Sequence, residues 1–222
     1  MHRLRLGLAA MAAFLACSVP ATFAEDAAPA PKDPPKEEPP KADPPAKPEE
    51  APKPPVAPAF TAKDLDGKDR TLAEFAGKWV VLEWVNPGCP YVKKFYNPGV
   101  MQALQKKYVE KGVVWLSVCS TNPNHKDYKT AEQWKAHVAE AKLGSTAVLL
   151  DSDGVVGKAY GALRTPEIRI VCPKGTLQYV GAVDDNKDAK ADPAVARNYV
   201  AEFLDAVLAG KTPEVTSTTA YG

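Results

Sequence analysis

The feature that most constrains this chain is a strand-like apolar run that ends just before a cysteine at a predicted helix start. Residues 79–85 are almost all apolar, which predicts a strand covered on both faces of a sheet. Cys89 follows a turn and precedes Pro90, which suits the first helical position because it has no N–H to leave unpaired. Helix N-termini favour negative charge, so we expect Cys89 to be a reactive thiolate. The alternative is a small buried apolar residue that happens to precede a helix.

The first residues are predicted to be an export signal. Arg3 and Arg5 precede an apolar run that is too short to span a bilayer as a mature helix. Small residues before the cleavage point predict a signal peptide over residues 1–24. Lipid attachment at Cys17 is the alternative, but Leu15 stands where a small residue is wanted. We therefore expect a secreted or periplasmic protein.

Composition divides the rest of the chain into three parts. Residues 25–58 are rich in Pro, Ala, Lys, Asp and Glu, which predicts a disordered, polyproline-like linker. Residues 59–210 have the length of one domain, and residues 211–222 are predicted to be a flexible tail. The net charge is +1 with no basic stripe, so we expect neither a nucleic-acid partner nor a membrane span.

Strand-like and helix-like patterns alternate within the domain. An initial hairpin is followed by predicted strands at 79–85, 113–118, 147–150, 166–171 and 177–183 and by helices after Cys89, at 130–143 and at 193–208. Strand–helix–strand units predict parallel pairing, and the late hairpin predicts antiparallel pairing. The predicted fold class is therefore α/β, with a mixed central sheet flanked by helices and an N-terminal β-hairpin extension.

Four runs within about residues 60–185 form a recognisable pattern when taken in order: Gly77–Leu82, Cys89–Lys93, Leu163–Ile168 and Gly175–Asp185. Together they resemble redoxins of the thioredoxin superfamily, in the branch of alkyl hydroperoxide reductase and thiol-specific antioxidant proteins. This resemblance implies a thioredoxin-like fold, an oxidoreductase with antioxidant activity in cell redox homeostasis, and Cys89 as the redox-active residue. It also implies that Pro166, after Thr165, is a cis proline facing that cysteine.

Two departures from the redoxin pattern affect the expected chemistry. A thioredoxin-type pair needs a second cysteine three residues from Cys89, where Asn86 and Val92 stand instead. Leu82 and Asn86 occupy the positions of the proline and threonine in the typical peroxiredoxin motif. The sequence therefore leaves open whether Cys89 reacts with a peroxide or with a protein disulfide. Lys93, one helical turn after Cys89, adds positive potential to the site or is simply solvated.

Either reaction needs a second thiol to resolve its product, a sulfenic acid or a mixed disulfide. Cys119 is the candidate, because it ends a strand predicted to run parallel to 79–85, so both strands end at the same sheet edge. The alternative is that Cys119 only packs in the core. Cys172 lies six residues beyond Pro166 on a strand, about 20 Å away at ~3.3 Å per residue, and is expected to be buried or idle.

No cofactor or metal is predicted, since His125 and His137 do not pair with a cysteine at a metal-ligand spacing. The sequence therefore predicts an exported thiol oxidoreductase with one active-site cysteine and an unidentified thiol reductant. The alternative is a non-catalytic thioredoxin-fold module that holds peptide near Cys89 and Pro166.

Overall fold

The computed structural model describes residues 54–222, so the predicted signal peptide, Cys17 and nearly all of the predicted linker lie outside the described residues. The strands are β1 (Thr61–Asp64), β2 (Asp69–Thr71), β3 (Val80–Trp84), β4 (Val114–Cys119), β5 (Ala147–Leu150), β6 (Glu167–Val171) and β7 (Leu177–Gly181). The helices are α1 (Pro90–Tyr96), α2 (Val100–Glu110), α3 (Ala131–Ala141), α4 (Val155–Ala159) and α5 (Tyr199–Leu208), with a 3-10 turn over Leu72–Phe75.

One sheet of seven strands organises these elements, in the order β2-β1-β5-β4-β3-β6-β7. At its centre, β4 is parallel to both β3 and β5. β6 is antiparallel to β3 and to β7, and β1 is antiparallel to β2 and to β5. The predicted α/β class and mixed sheet are therefore confirmed.

Both faces of the sheet are covered, which explains why β3 is buried at all five positions. Val80, Leu82 and Trp84 point into a cluster with Phe60, Phe75 and Tyr160 on one face. The opposite face packs against α2 and α5, through a cluster that includes Val81, Trp115, Ile168, Tyr108 and Phe203. Because alternate strand residues point to opposite faces, only a nearly continuous apolar run fits such a strand.

The chain turns directly from β3 into the helix that begins at Pro90. The helix is interrupted at Asn97-Pro98-Gly99, so α1 ends at Tyr96 and α2 begins at Val100. Gly99 adopts a φ of 81°, a left-handed conformation that glycine adopts without a steric penalty. Because of this break, α1 is a short helix, and the end of β3 sets its position.

Two segments near the end of the sequence differ from their predictions. The helix predicted from residue 193 begins at Tyr199, because Asn198 caps it by accepting a hydrogen bond from Ala201 N at 2.8 Å. Residues 211–222, predicted to be a flexible tail, instead run beside β7, where Ser217 forms a bridge with Val180. β7 is an edge strand with free backbone groups, and this segment pairs with them.

Within residues 54–222, none of the helices has the length and apolar character that crossing a membrane would require.

Candidate active site

Cys89 lies at the N-cap of α1, immediately after the turn that follows β3. Asn86 builds this turn, since its Oδ1 accepts from Gly88 N at 2.9 Å and its carbonyl accepts from Cys89 N at 3.0 Å. Pro90 is the first helical residue, as its position in the sequence predicts, and it is exposed. The thiol of Cys89 is half-buried and donates to the carbonyl oxygen of Thr165 at 3.1 Å.

The loop that accepts the hydrogen bond from the Cys89 thiol contains a cis peptide bond between Thr165 and Pro166. The loop reaches Cys89 because β6, which follows it, pairs with β3 and places Glu167 beside Trp84. Pro166 is buried and Thr165 is half-buried. The two sequence segments expected to form the site therefore meet at one end of the sheet.

A buried carboxylate shapes that loop and was not identified from sequence. Glu167 accepts from the backbone N–H groups of Leu163 and Arg164 at 2.8 and 3.0 Å. Arg169, also buried, donates to Glu167 at 2.7 Å and to the carbonyl oxygens of Tyr160, Gly161 and Ile168. The guanidinium thus links Glu167 to the carbonyl oxygens of Tyr160 and Gly161 and helps to hold the loop.

The loop after β4 closes against the residue before Cys89. A Cβ atom on Gly88 would overlap the carboxyl group of Asp127, so any larger residue at this position would displace that side chain. Asn86 Nδ2 donates to the same carboxyl group at 3.4 Å. The acidic side chain of Asp127 therefore lies beside the turn that carries the thiol. In the sequence, the glycine next to Cys89 was the one indication of this close approach.

Neighbouring lysines of α1 have opposite environments. Lys93, selected from sequence, is exposed and lines a cavity of about 530 Å³ between α1 and α3. Lys94 is fully buried and forms an ion pair with Asp184 at 2.9 Å. Lys94 also donates to the hydroxyl of Tyr221 at 3.2 Å. Sequence alone offers little to separate two adjacent lysines, because their difference depends on which helix face meets residues 184 and 221.

Glu83, in the middle of β3, is a further buried group beneath α1. It is 0% exposed and accepts hydrogen bonds from Tyr96 OH at 2.7 Å, Trp115 Nε1 at 2.8 Å and Gln105 Nε2 at 2.9 Å. Burial raises the pKa of Glu83 above its ordinary value, although the three hydrogen bonds oppose that change. Its signal in the sequence was a single charge inside an otherwise apolar strand.

Cys119 ends β4 at the same end of the sheet as Cys89. It is buried, with 4% of its surface exposed, and its Sγ lies 3.4 Å from Thr121 Oγ1. Cys119 belongs to an apolar cluster with Val85 and Trp134, and Cys89 packs against that cluster. The structure therefore places both cysteines around one patch of core, each as a free thiol.

Cys172 follows β6 at the other end of that strand from Pro166. It is half-buried, and its Sγ lies 3.0 Å from Thr176 Oγ1. Burial raises the pKa of Cys172, but hydrogen bonds with the side chain and backbone of Thr176 outweigh it and hold the pKa below its ordinary value. Across residues 54–222, no group of three or more His, Cys, Asp or Glu side chains is arranged to hold a metal ion.

A family comparison agrees with this geometry. Residues 55–180 match the AhpC/TSA family, more than half of the 222 residues. The chain belongs to the AhpC/TSA family. The resemblance to redoxins is thereby confirmed, and the fold and family are those of thiol oxidoreductases.

Solved structures also resemble this AhpC/TSA-family chain. A hypothetical protein from Sinorhizobium meliloti 1021 is 25% identical with a TM-score of 0.67, over 78% of this chain and 93% of that one. An uncharacterized conserved protein from Geobacillus kaustophilus is 26% identical with a TM-score of 0.66, over 75% and 87%. The thioredoxin domain of a Bacteroides vulgatus thiol-disulfide oxidoreductase is 27% identical with a TM-score of 0.43, over 55% and 82%. A comparison with curated proteins finds no match.

Proposed function

We propose that this AhpC/TSA-family chain is an exported thiol–disulfide oxidoreductase in which Cys89 is the nucleophile. The observation that carries the proposal is the placement of the half-buried Cys89 thiol at a helix N-cap, 3.1 Å from the carbonyl oxygen of Thr165 and next to Pro166. Loss of the thiol proton gives the form that attacks sulfur.

The reaction is an exchange of one S–S bond for another. The Cys89 thiolate attacks one sulfur of the substrate disulfide, the substrate S–S bond breaks, and the departing sulfur leaves as a thiolate that takes up a proton. The product is a mixed disulfide between Cys89 and the substrate. An external thiol can attack the substrate sulfur of this bond, which releases Cys89 as a thiolate and leaves a disulfide between the external thiol and the substrate. Alternatively, Cys119 attacks the Cys89 sulfur, releases the substrate as a thiolate and forms a Cys89–Cys119 disulfide, which an external thiol reductant must then reduce to restore both cysteines.

Disulfide exchange is better supported than peroxide reduction because the hydrogen-bond partner of the Cys89 thiol, the Thr165 carbonyl oxygen, is an acceptor and cannot donate to a peroxide oxygen. Fast attack on a peroxide benefits from fixed hydrogen-bond donors at the oxygen that acquires charge. The guanidinium of Arg169 is occupied by Glu167 and backbone carbonyls, and the Asn86 amide contacts Asp127 and Gly88. Exchange with a disulfide needs only the thiolate and an accessible sulfur.

The test compares Cys89→Ser with the matched control Cys172→Ser in the full chain, using the aromatic disulfide DTNB and hydrogen peroxide as separate probes. Removal of the nucleophile should slow mixed-disulfide formation by about two orders of magnitude or more, as expected for covalent catalysis. The control should change it little, because Cys172 lies at the far end of β6. Peptide mapping by mass spectrometry identifies the modified cysteine.

Two outcomes would overturn the proposal. If Cys89 reacts with both probes no faster than free cysteine, a non-catalytic peptide-binding module replaces the enzyme. If Cys89 reacts fast with peroxide and slowly with DTNB, the activity is that of a peroxidase. Mapping after mild oxidation also tests Cys119, because the absence of a Cys89–Cys119 disulfide would assign resolution to an external thiol.

Export is supported by the charged and apolar pattern of residues 1–24. N-terminal sequencing of the protein recovered from the export compartment should begin at Glu25. A lipid-modified Cys17 at the mature N-terminus would contradict cleavage after Ala24 and assign a membrane anchor instead.

A further inference from the structure

Residues 215–222, here called the strap, run from the free edge of β7 to the candidate active site. The backbone of Val180 pairs with the strap, donating to Thr216 O at 3.3 Å and accepting from Thr218 N at 3.0 Å. The Thr218 hydroxyl accepts from Ala182 N at 2.9 Å and lies 2.9 Å from Tyr179 OH. These contacts fix the first half of the strap on the sheet.

The strap ends against the loop that holds the Cys89 thiol. A Cβ atom on Gly222 would overlap the carbonyl oxygen of Thr165, the same oxygen that accepts the Cys89 S–H. Arg164 Nη1 donates to Gly222 O at 2.9 Å. The main chain of the strap and the reactive thiol therefore meet at a single oxygen atom. Gly222 also forms part of the wall of a cleft of about 320 Å³ that includes Asn86 and Thr165.

Within the strap, the Tyr221 side chain attaches this second half to the protein interior. Tyr221 is 8% exposed, and its hydroxyl bonds to the buried pair Lys94 and Asp184. Its ring centroid lies 5.7 Å from that of Tyr91, two residues after Cys89. Thr219 is exposed, so Tyr221 carries most of the attachment beyond Thr218.

We propose that the strap is a gate that restricts large disulfide substrates from reaching Cys89 until Tyr221 leaves its buried site. This proposal rests on the proposed function, since it concerns the substrates of thiol–disulfide exchange. A polypeptide disulfide that approaches Cys89 along the Thr165 side meets the backbone at Gly222. A small reagent reaches the thiol without displacing the strap, because Cys89 is only half-buried.

The gate acts through a local equilibrium between closed and open strap. Segments with few buried contacts open locally at less free-energy cost than the whole domain, and one anchoring tyrosine makes such a segment. A large reagent then reacts at a rate scaled by the open fraction, whereas a small reagent reacts with both forms.

The test measures alkylation of Cys89 in the full chain by two probes of different size, read by peptide mapping. Iodoacetamide is the small probe, and a maleimide on a long polyethylene glycol chain is the large one. Tyr221→Ala should accelerate labelling by the large probe about tenfold, as expected if the open fraction rises from a minor to a major state. Labelling by iodoacetamide should change less than about threefold, because the half-buried thiol is already accessible to a small reagent. Thr219→Ala, an exposed position of the same strap, is the matched control and should change neither rate.

Removal of residues 219–222 is the second variant and decides the case if Tyr221→Ala does not fold. Equal rates for wild type and both variants with the large probe would overturn the gate, as would equal acceleration of both probes, which indicates general loosening. Failure of the proposed function gives a different result. In that case Cys89 still reacts slowly with DTNB in the two open variants. The variants nevertheless accelerate alkylation by the large probe more than alkylation by iodoacetamide.

Discussion

Glu83 and Asp184 are two buried carboxyl groups that contact the same helix and differ in what surrounds them. Both residues are 0% exposed, and each contacts α1 through one side chain, Tyr96 for Glu83 and Lys94 for Asp184. Glu83 accepts hydrogen bonds from neutral donors only. Asp184 has a buried ammonium group at 2.9 Å. The helix that begins after Cys89 is therefore held by two different kinds of interaction.

The difference shows what neutral hydrogen bonds can and cannot do for a buried charge. Three donors do not fully replace water around Glu83, so burial still raises its pKa. A buried cation compensates an anion more completely, but each partner then depends on the other. The Lys94–Asp184 pair should consequently be sensitive to loss of one partner, and the Glu83 cluster should be sensitive to pH.

The largest expected effect is that of Asp184→Asn. This change leaves the Lys94 ammonium buried without a counter-charge, which costs about 3–5 kcal/mol in comparable buried pairs. Unfolding by urea, followed by circular dichroism, measures the free energy of unfolding. The variant should also lose the hydrogen bond between Tyr221 and a carboxylate.

A double-mutant cycle with Lys94→Met sharpens this prediction. Removing both charges should cost less than the sum of the two single changes, because the double variant buries no unpaired charge. Additive costs would instead show that Lys94 and Asp184 stabilise the protein independently, and the contrast with Glu83 would disappear.

A smaller effect, dependent on pH, is expected for Glu83→Gln. Since the folded-state pKa of Glu83 is raised, the folded protein retains this proton at pH values where the unfolded chain loses it. The contribution of Glu83 to stability is therefore greatest below the ordinary value of 4.5 and falls as pH rises toward the folded-state pKa. Glutamine keeps the size but turns one acceptor into a donor facing other donors, at a cost of about 1–3 kcal/mol.

Free energies of unfolding at pH 4 and pH 8 test this expectation. The deficit of Glu83→Gln relative to wild type should be largest at pH 4 and should shrink at pH 8, because only wild type loses stability as Glu83 is driven to ionise. A deficit that grows with pH would mean that Glu83 is stabilised as an anion. Glu83 would then behave like one partner of an ion pair, and the difference proposed between Glu83 and Asp184 would be wrong.

The fold and the centre of the site could be predicted because their signals are local. Each of three segments can be recognised from a few consecutive residues: the apolar run of β3, the Cys89–Pro90 helix start and the Thr165–Pro166 loop. The supporting groups could not be predicted in the same way. The donors to Glu83 come from α1, α2 and β4, and the partner of Lys94 lies 90 residues away.

The strap is a second example of a feature that the local sequence does not predict. Residues 211–222 have a composition typical of a loose tail, and their packing depends on an unpaired edge of β7 and on a buried site for Tyr221. Neither feature exists until the sheet has formed. Sequence periodicity therefore predicts the layers of this protein better than the contacts that orient α1 and enclose Cys89.

The smallest expected effect tests a single donor to Glu83. Tyr96→Phe removes a hydrogen bond of 2.7 Å and should cost about 1 kcal/mol. Because that bond favours the ionised carboxyl group, its loss should raise the pKa of Glu83 further, so the cost should be greater at pH 8 than at pH 4. Tyr160→Phe is the matched control, since its hydroxyl bonds only to the Pro58 carbonyl and its cost should be the same at both pH values. Equal costs of Tyr96→Phe at the two pH values would show that the Tyr96 hydroxyl does not distinguish the protonated and ionised forms of Glu83.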